Sequence, residues 1–332
     1  MKKLINDPRK VAAEAIEGLA LAYPQYLRLV AGAQAVVRKD APVAGKVAVL
    51  TGGGSGHEPM FAGFVGAGMA DGSVAGNIFA SPPPQPIVTA AQAVHGGAGV
   101  LLLYGNYSGD VLNFDMAAEM IEEEGIRTST VRIADDVASA PPERHEERRG
   151  IAGDFFVIKA AGACAGRQAT LAEVTAAAEE ANRNTRSMGV ALSSCTIPAS
   201  GKHIFDLAEG DMEVGMGLHG EPGVERVRLR SANEVAEELV RRILGDMPEL
   251  SNGEVAILVN GLGATPLAEL FIVFRAAHAM LARHGVTICH SYVGNYATSL
   301  EMAGCSISLL RLNERLKDWI AAPAQTPALV QI

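Results

Sequence analysis

Lys46–Pro59 reads KVAVLTGGGSGHEP, an apolar stretch followed by three consecutive glycines, a serine, a fourth glycine and a histidine. A short Val/Ala/Leu run bounded by glycine has the pattern of a buried strand, so Lys46–Leu50 is predicted as a strand that ends at the glycine turn. Glycine is favoured where backbone comes close to a ligand or takes up positive φ, and Pro stops regular structure from running on. His57 is therefore expected on rigid, open backbone rather than in a core. Imidazole is the side chain best suited to proton transfer or nucleophilic attack near neutral pH. A second turn of the same flavour, GLHGEPG at Gly217–Gly223, lies far along the chain and carries His219. Two such turns point to one site assembled from both halves of the protein.

Working outward, short apolar runs alternate with longer amphipathic segments, the signature of an α/β architecture. Residues Glu58–Met69 read as a short helix whose Ala62, Gly63, Gly66 and Gly68 allow close packing. Val100–Tyr104 (VLLLY) is the next strand, followed by GNYSGD and a helix from Asp110 to Glu124. Val111, Leu112, Met116, Met120 and Ile121 give that helix an apolar face, and Gly125 is a good C-terminal stop. Thr130–Ile133, Met188–Ser193, Val227–Leu229 and Val255–Val259 are further strand candidates. Helices are predicted at Leu171–Asn184, Asn233–Leu244 and Pro266–His284. The resulting expectation is two α/β domains with mixed or parallel sheets, residues 1–184 and 185–314. The Pro- and Ala-rich tail, about 315–332, is expected to pack back on the first. Glycine turns after strands fit the rule that open α/β sheets bind ligands at the carboxyl ends of their strands.

Composition narrows the function. At 332 residues, 48% hydrophobic and 20% charged, the chain has the make-up of a globular protein with a large core. A net charge of −9 with no obvious basic face argues against a nucleic-acid role. The charged start MKKLINDPRK lacks the apolar run of a signal peptide, and no apolar stretch reaches membrane-spanning length. Cys164, Cys195, Cys289 and Cys305 are scattered without metal-ligand spacing, which reads as reduced, buried thiols in a cytoplasmic protein.

No nucleotide motif accompanies the glycines. Walker A needs Gly-Lys-Ser/Thr, and Gly45-Lys46-Val47 and Gly201-Lys202-His203 both fail. Gly52–Gly56 does not form a GxGxxG fingerprint, and kinase loop signatures are absent. Six of the eight histidines (His95, His145, His203, His278, His284 and His290) are expected to be structural or merely exposed. His57 and His219 stand apart because of the glycines around them. Asp110 joins them as a candidate base, with a helix-capping role beside it at even weight. Asp135, Asp136 and Glu122–Glu124 read as solvated charge. Two histidines and a carboxylate could ligate zinc or iron, but their separation gives that no support. The better fit is covalent and acid–base chemistry on an uncharged substrate. Neutral imidazole adds to a ketone or aldehyde as a hemiaminal, and a carboxylate takes the proton of a neighbouring hydroxyl.

At these residues the chain strongly resembles the substrate-binding K subunit of dihydroxyacetone kinases. The similarity runs in order through MKKLIND, DAPVAGKVAVLTGGGSGHEPM, FASPPP, NYSGDVLNF, RRGIAG, GLHGEPG, NGLGATPLAEL and TPAL, over essentially the whole chain. The resemblance implies a Dak1-type fold of two α/β domains, usually a homodimer. It implies a short ketose held through its carbonyl carbon by His219. His57 and Asp110 match the family's acid–base pair, and Gly54, Ser55, Gly56 and His57 its substrate-contacting turn. It also implies no cofactor on this chain. ADP or ATP and Mg²⁺ are expected on a separate L-type subunit, which in phosphotransferase-linked systems is recharged through an M-type subunit. One position departs: family members commonly carry Lys where this chain has Gly105, which implies a shifted or broadened pocket that admits a four-carbon ketose such as erythrulose. Two other functions remain open on the sequence: a ketose sensor that co-activates transcription, and a lyase or isomerase that needs no partner.

Overall fold

The computed structural model describes residues 2–332, which divide into two compact units. The first comprises residues 2–133, 154–181 and 319–332. Its elements are α1 (Val11–Ala22), β1 (Leu27–Leu29), β2 (Ala35–Arg38), β3 (Ala48–Ser55), β4 (Gly72–Ile78), α2 (Pro84–Val94), β5 (Val100–Gly105), α3 (Ser108–Glu123) and β6 (Thr128–Ile133). Two further helices follow, α4 (Asp154–Gly166) and α5 (Leu171–Asn184). The sheet runs β1-β2-β4-β3-β5-β6, antiparallel at the β1 edge and parallel from β4 through β6. Every residue of β5 is buried, as a central parallel strand covered on both faces requires. Val37, Leu50, Val74, Ile87, Leu102 and Phe114 form the heart of one core cluster.

The second unit comprises residues 134–153 and 182–318. It holds β7 (Thr185–Ala191), β8 (Asp211–Val214), β9 (Glu225–Arg228), α6 (Ala232–Gly245), β10 (Glu254–Gly261), α7 (Leu267–Arg283), β11 (Thr287–Gly294) and β12 (Gly304–Arg311). The order is β11-β10-β12-β7-β8-β9, with β10 and β11 parallel and the other pairs antiparallel. The start of α6 is set locally: Ser231 and Glu234 form a capping box. The chain ends with α8 (Glu314–Ala321) and the short pair β13 (Ala324–Gln325) and β14 (Val330–Gln331). Two sheets of mixed and parallel strands with helices give the α/β class expected from the sequence.

Several local expectations change. β3 does not stop at Leu50 but runs through the glycines to Ser55. The reason is space. A Cβ on Gly52 would lie 2.5 Å from the Val74 carbonyl oxygen, one on Gly53 2.6 Å from the Phe61 ring, and one on Gly54 2.7 Å from the Ala80 nitrogen. Residues 58–69 are not a helix beyond a single 3₁₀ turn at Ala62–Phe64. The glycines there clear room for the tail: a Cβ on Gly66 would strike the Gln325 carbonyl oxygen and one on Gly68 that of Pro323, both at 2.1 Å.

Asp135 and Asp136 are fully buried rather than solvated. Asp135 accepts the backbone N–H groups of Ile151 (2.8 Å) and Gly153 (2.9 Å), and Asp136 bonds Arg149 at 2.7 Å. Ser187 ties residues 134–153 into the second unit: its N–H donates to the Asp135 carbonyl at 2.8 Å and its carbonyl accepts the Val137 N–H at 3.0 Å, so the units are not divided contiguously at residue 184. Residues 319–332 belong to the first unit. There the buried ammonium of Lys159 donates to the carbonyls of Trp319 (3.2 Å) and Ala322 (2.5 Å) at the end of α8. Cys164, Cys195 and Cys305 are buried thiols, whereas Cys289 is exposed. No helix among the described residues is long and apolar enough to cross a membrane.

Candidate functional site

In the first unit the candidate residues gather at the carboxyl ends of two neighbouring parallel strands. β3 and β5 pair in register from Ala48↔Val100 to Thr51↔Leu103. Ser55 therefore ends one strand with Gly56 and His57 following it, and Gly105 ends its neighbour with Asp110 beyond, at the same edge of the sheet. Three contacts hold the first turn. Ser55 Oγ donates to the Gly76 carbonyl at 2.7 Å. The Glu58 carboxylate accepts the Gly56 N–H, with both oxygens at 3.1 Å. Gly56 itself has φ +102°, a conformation that glycine adopts without strain.

His57 is not on open backbone: it is 2% exposed, and its ring stacks on Phe79 with centroids 5.0 Å apart. A buried ring stacked on an aromatic face has little freedom to swing. Gly105 is buried as the last residue of β5, and the Tyr107 N–H donates to its carbonyl at 2.8 Å. Asp110 is 8% exposed in the first turn of α3. The N-cap of α3 is Tyr107, which makes no side-chain cap bond. Asp110 thus lies inside the helix, where the positive end of the dipole favours a carboxylate.

His219 lies in the second unit, in the connection between β8 and β9. Its imidazole Nδ1 is 3.0 Å from Glu221 Oε1, and its own backbone N–H donates to Glu221 Oε2 at 3.0 Å. Arg149 Nη1 stands 3.9 Å from the same Oε2, while its Nε and Nη2 donate to Asp136 at 3.0 and 2.7 Å. Burial works to raise the Glu221 pKa, but the hydrogen bond from His219 and the charge of Arg149 outweigh it and hold the group at about 2. Burial pushes Asp136 up to about 6 against the pull of Arg149.

Glycines make this arrangement possible. A Cβ on Gly217 would lie 2.2 Å from Glu221 Oε2 and 2.7 Å from Arg149 Nη1, and Gly220 turns the chain at φ +83°. The Leu218 carbonyl is tied down by Ser299 Oγ at 2.5 Å. The two turns use their glutamates differently: Glu58 braces backbone, whereas Glu221 also reaches the ring. Glu221 and Arg149 both lie in the quoted motifs GLHGEPG and RRGIAG, but the sequence alone assigns neither a role. The available signal was an acid two residues from a glycine-flanked histidine.

Among the described residues, no three His, Cys, Asp or Glu side chains converge as a metal site. A separate cavity of about 480 Å³ in the first unit is lined by α1 (Ala12, Ile16, Leu19) and by Pro59, Met60 and Phe61. It touches Gly54 and Ser55 but neither His57 nor Asp110.

Residues 17–328 match the family described as Dak1 domain. The chain is 45% identical over 328 residues to the dihydroxyacetone-binding subunit DhaK of PTS-dependent dihydroxyacetone kinase 2 from Listeria innocua, covering 98% of each chain. It is also 45% identical to a D-erythrulose kinase of Mycolicibacterium smegmatis, over 99% of this chain but only 56% of that longer protein. Among solved structures, the dihydroxyacetone kinase operon co-activator Dha-DhaQ superposes with a TM-score of 0.90 at 30% identity, over 96% of this chain and 98% of that one.

Proposed function

The chain belongs to the Dak1 domain family, and on that premise we propose that it is the ketose-binding subunit of a dihydroxyacetone-type kinase. The observation that carries this reading is the pairing of a full-length match to a dihydroxyacetone-binding subunit with an imidazole, His219, already held by a carboxylate through Nδ1. With the Nδ1 proton directed at Glu221, the lone pair resides on Nε2. That pair attacks the ketone carbon, the carbonyl π pair moves onto oxygen, and the oxygen takes a proton from water, which leaves as hydroxide, to give a hemiaminal on a ring that now carries the positive charge. Polyols without a carbonyl are refused by chemistry rather than by shape.

The fixed ketose then presents its primary hydroxyl, and positioning supplies much of the rate of phosphoryl transfer. Asp110, assisted by His57, takes the hydroxyl proton. The donor comes from a separate L-type polypeptide that carries ADP or ATP and Mg²⁺, with an M-type subunit upstream in phosphotransferase-linked systems. We include a homodimeric assembly and a cytoplasmic location in the same reading.

Mixing the purified chain, a nucleotide-loaded L-type subunit and dihydroxyacetone tests the proposal. Phosphorylated ketose is expected only when both proteins are present. Turnover by this chain alone points instead to a lyase or isomerase, and binding without turnover beside any L-type subunit points to a sensor. Buried Asp110 and His57 favour the enzyme, because a sensor needs only the binding histidine.

Gly105 favours a second reading of the substrate. Gly105 brings no side chain to the end of β5, where the family commonly carries Lys, and the proposal extends on that ground to a four-carbon ketose such as erythrulose. Comparing kcat/KM for dihydroxyacetone and both erythrulose enantiomers decides between them, and a clear preference for dihydroxyacetone defeats the broader pocket.

A further inference from the structure

We infer that Glu221, braced by Arg149, is the positioning residue that fixes the His219 tautomer and balances the charge of the covalent adduct. The inference rests on the ketose-binding role proposed above. Its geometry comes entirely from the second unit.

Imidazole can act as a nucleophile only through a nitrogen that carries a lone pair, so a histidine with two equivalent tautomers is half wasted. At His219 the choice is made by one carboxylate used twice. Glu221 Oε2 accepts the backbone N–H of His219 at 3.0 Å, and Oε1 stands 3.0 Å from Nδ1 of the same residue. A carboxylate has no proton to donate at neutral pH, so it accepts, and Nδ1 must carry the hydrogen. The lone pair is thereby assigned to Nε2. This is the logic by which a carboxylate orients the imidazole of a hydrolase triad and stabilises the imidazolium that forms.

Charge balance gives the second half of the argument. When Nε2 bonds the ketone carbon and the displaced π pair is protonated by water, which leaves as hydroxide, the ring keeps its Nδ1 proton and becomes a cation. Glu221 lies directly opposite that cation. The low pKa of Glu221, set against burial by its hydrogen bond to His219, keeps it ionised throughout the neutral range. Arg149 holds Glu221 Oε2 from one side while anchored to Asp136, and Gly217 leaves the space in which the carboxylate and guanidinium meet. A side chain at Gly217 would take the place of Glu221 Oε2 itself.

The test reads tautomer and adduct separately. Nitrogen-15 NMR of the histidine ring reports which nitrogen of His219 is protonated in the free protein, without any ketose. The parent is expected to show Nδ1–H, and Glu221→Gln, whose amide can turn its NH₂ toward the ring, to shift the population toward Nε2–H. Affinity for dihydroxyacetone, from titration of the full chain, is expected to fall about ten- to a hundredfold in Glu221→Gln, the loss typical of a hydrogen bond to a charged group. Glu221→Asp, which keeps the carboxylate, should recover part of it. Gly217→Ala keeps Glu221 but displaces it, and is expected to reproduce both effects. An unchanged tautomer in both Glu221→Gln and Gly217→Ala overturns the inference, as does full affinity in Glu221→Gln. A tautomer shift in a protein that forms no ketose adduct at all leaves the inference standing and removes the ketose reading instead.

Discussion

Arg148 and Asp246, 98 residues apart in sequence, meet through two parallel hydrogen bonds of 2.7 Å each. Arg148 is completely buried, and Arg186 Nε adds a third bond to the same carboxylate at 2.5 Å. Removing one partner of a buried pair strands the other charge, which costs about 3–5 kcal/mol. Asp246→Ala is expected to destabilise the chain by that order, and Arg148→Met by less, because it leaves Asp246 paired with Arg186. Urea unfolding of the three proteins measures both. Equal midpoints for parent and Asp246→Ala contradict the assignment.

His145 sits beside this cluster. Burial, and then the charges of Arg186 and Arg148, hold its pKa down at about 4 against an ordinary 6.5. Between those values the unfolded chain binds the proton more readily than the folded one, so the contribution of His145 to stability rises with pH and is lost on acidification. His145→Phe removes that slope. The difference in unfolding free energy between parent and variant should therefore change between pH 6.5 and 4 and stay level above 7. A difference independent of pH refutes it.

Asp110→Asn keeps shape and removes the proposed base. Turnover with the L-type partner is expected to drop by about 10²- to 10⁴-fold, the range for a lost general base, while ketose affinity stays within a few-fold. Steady-state kinetics beside a binding titration separates the two. A parallel loss of binding assigns Asp110 to ketose recognition instead of proton transfer.

Two glycine-to-alanine changes should have opposite signs. In Gly54→Ala the new Cβ meets the Ala80 nitrogen at 2.7 Å and Phe79 backbone atoms at 3.0 Å, so the segment carrying the His57 stacking partner must move. A loss of about 1–3 kcal/mol in stability, with weaker ketose binding, is expected. Gly18, inside α1, has nothing within 4 Å of its Cβ position, and Gly18→Ala should stabilise by about 0.5–1 kcal/mol. Thermal unfolding of both variants checks the signs.

What could be read from the sequence follows from where the physics is local. Leu171–Asn184 was legible to the residue because one face alternates with solvent at helical spacing, and the helix before Gly125 ended where glycine turns at φ +80°. α4 was invisible: residues Asp154–Ala165 are buried all round, so no polar face marked the period. The glycines of β3 were read as a turn because the neighbours that exclude a Cβ, Val74, Phe61 and Ala80, are brought there by the fold. Asp135 and Asp136 looked solvated for the same reason, since their partners Ile151, Gly153 and Arg149 reach them only through a tertiary loop. His57, Asp110 and His219 stand out as candidates from their motifs alone. Glu221 needed a distance to the ring, and Arg149 needed the fold.

The proposed covalent role of His219 is tested most directly by carbon-13 NMR with dihydroxyacetone labelled at its carbonyl carbon. Saturating the protein should convert the bound ketone signal to that of a tetrahedral carbon bearing oxygen and nitrogen, in one equivalent per chain, and His219→Ala should abolish it. A bound ligand that keeps its ketone signal, or a tetrahedral signal that persists in His219→Ala, contradicts the account.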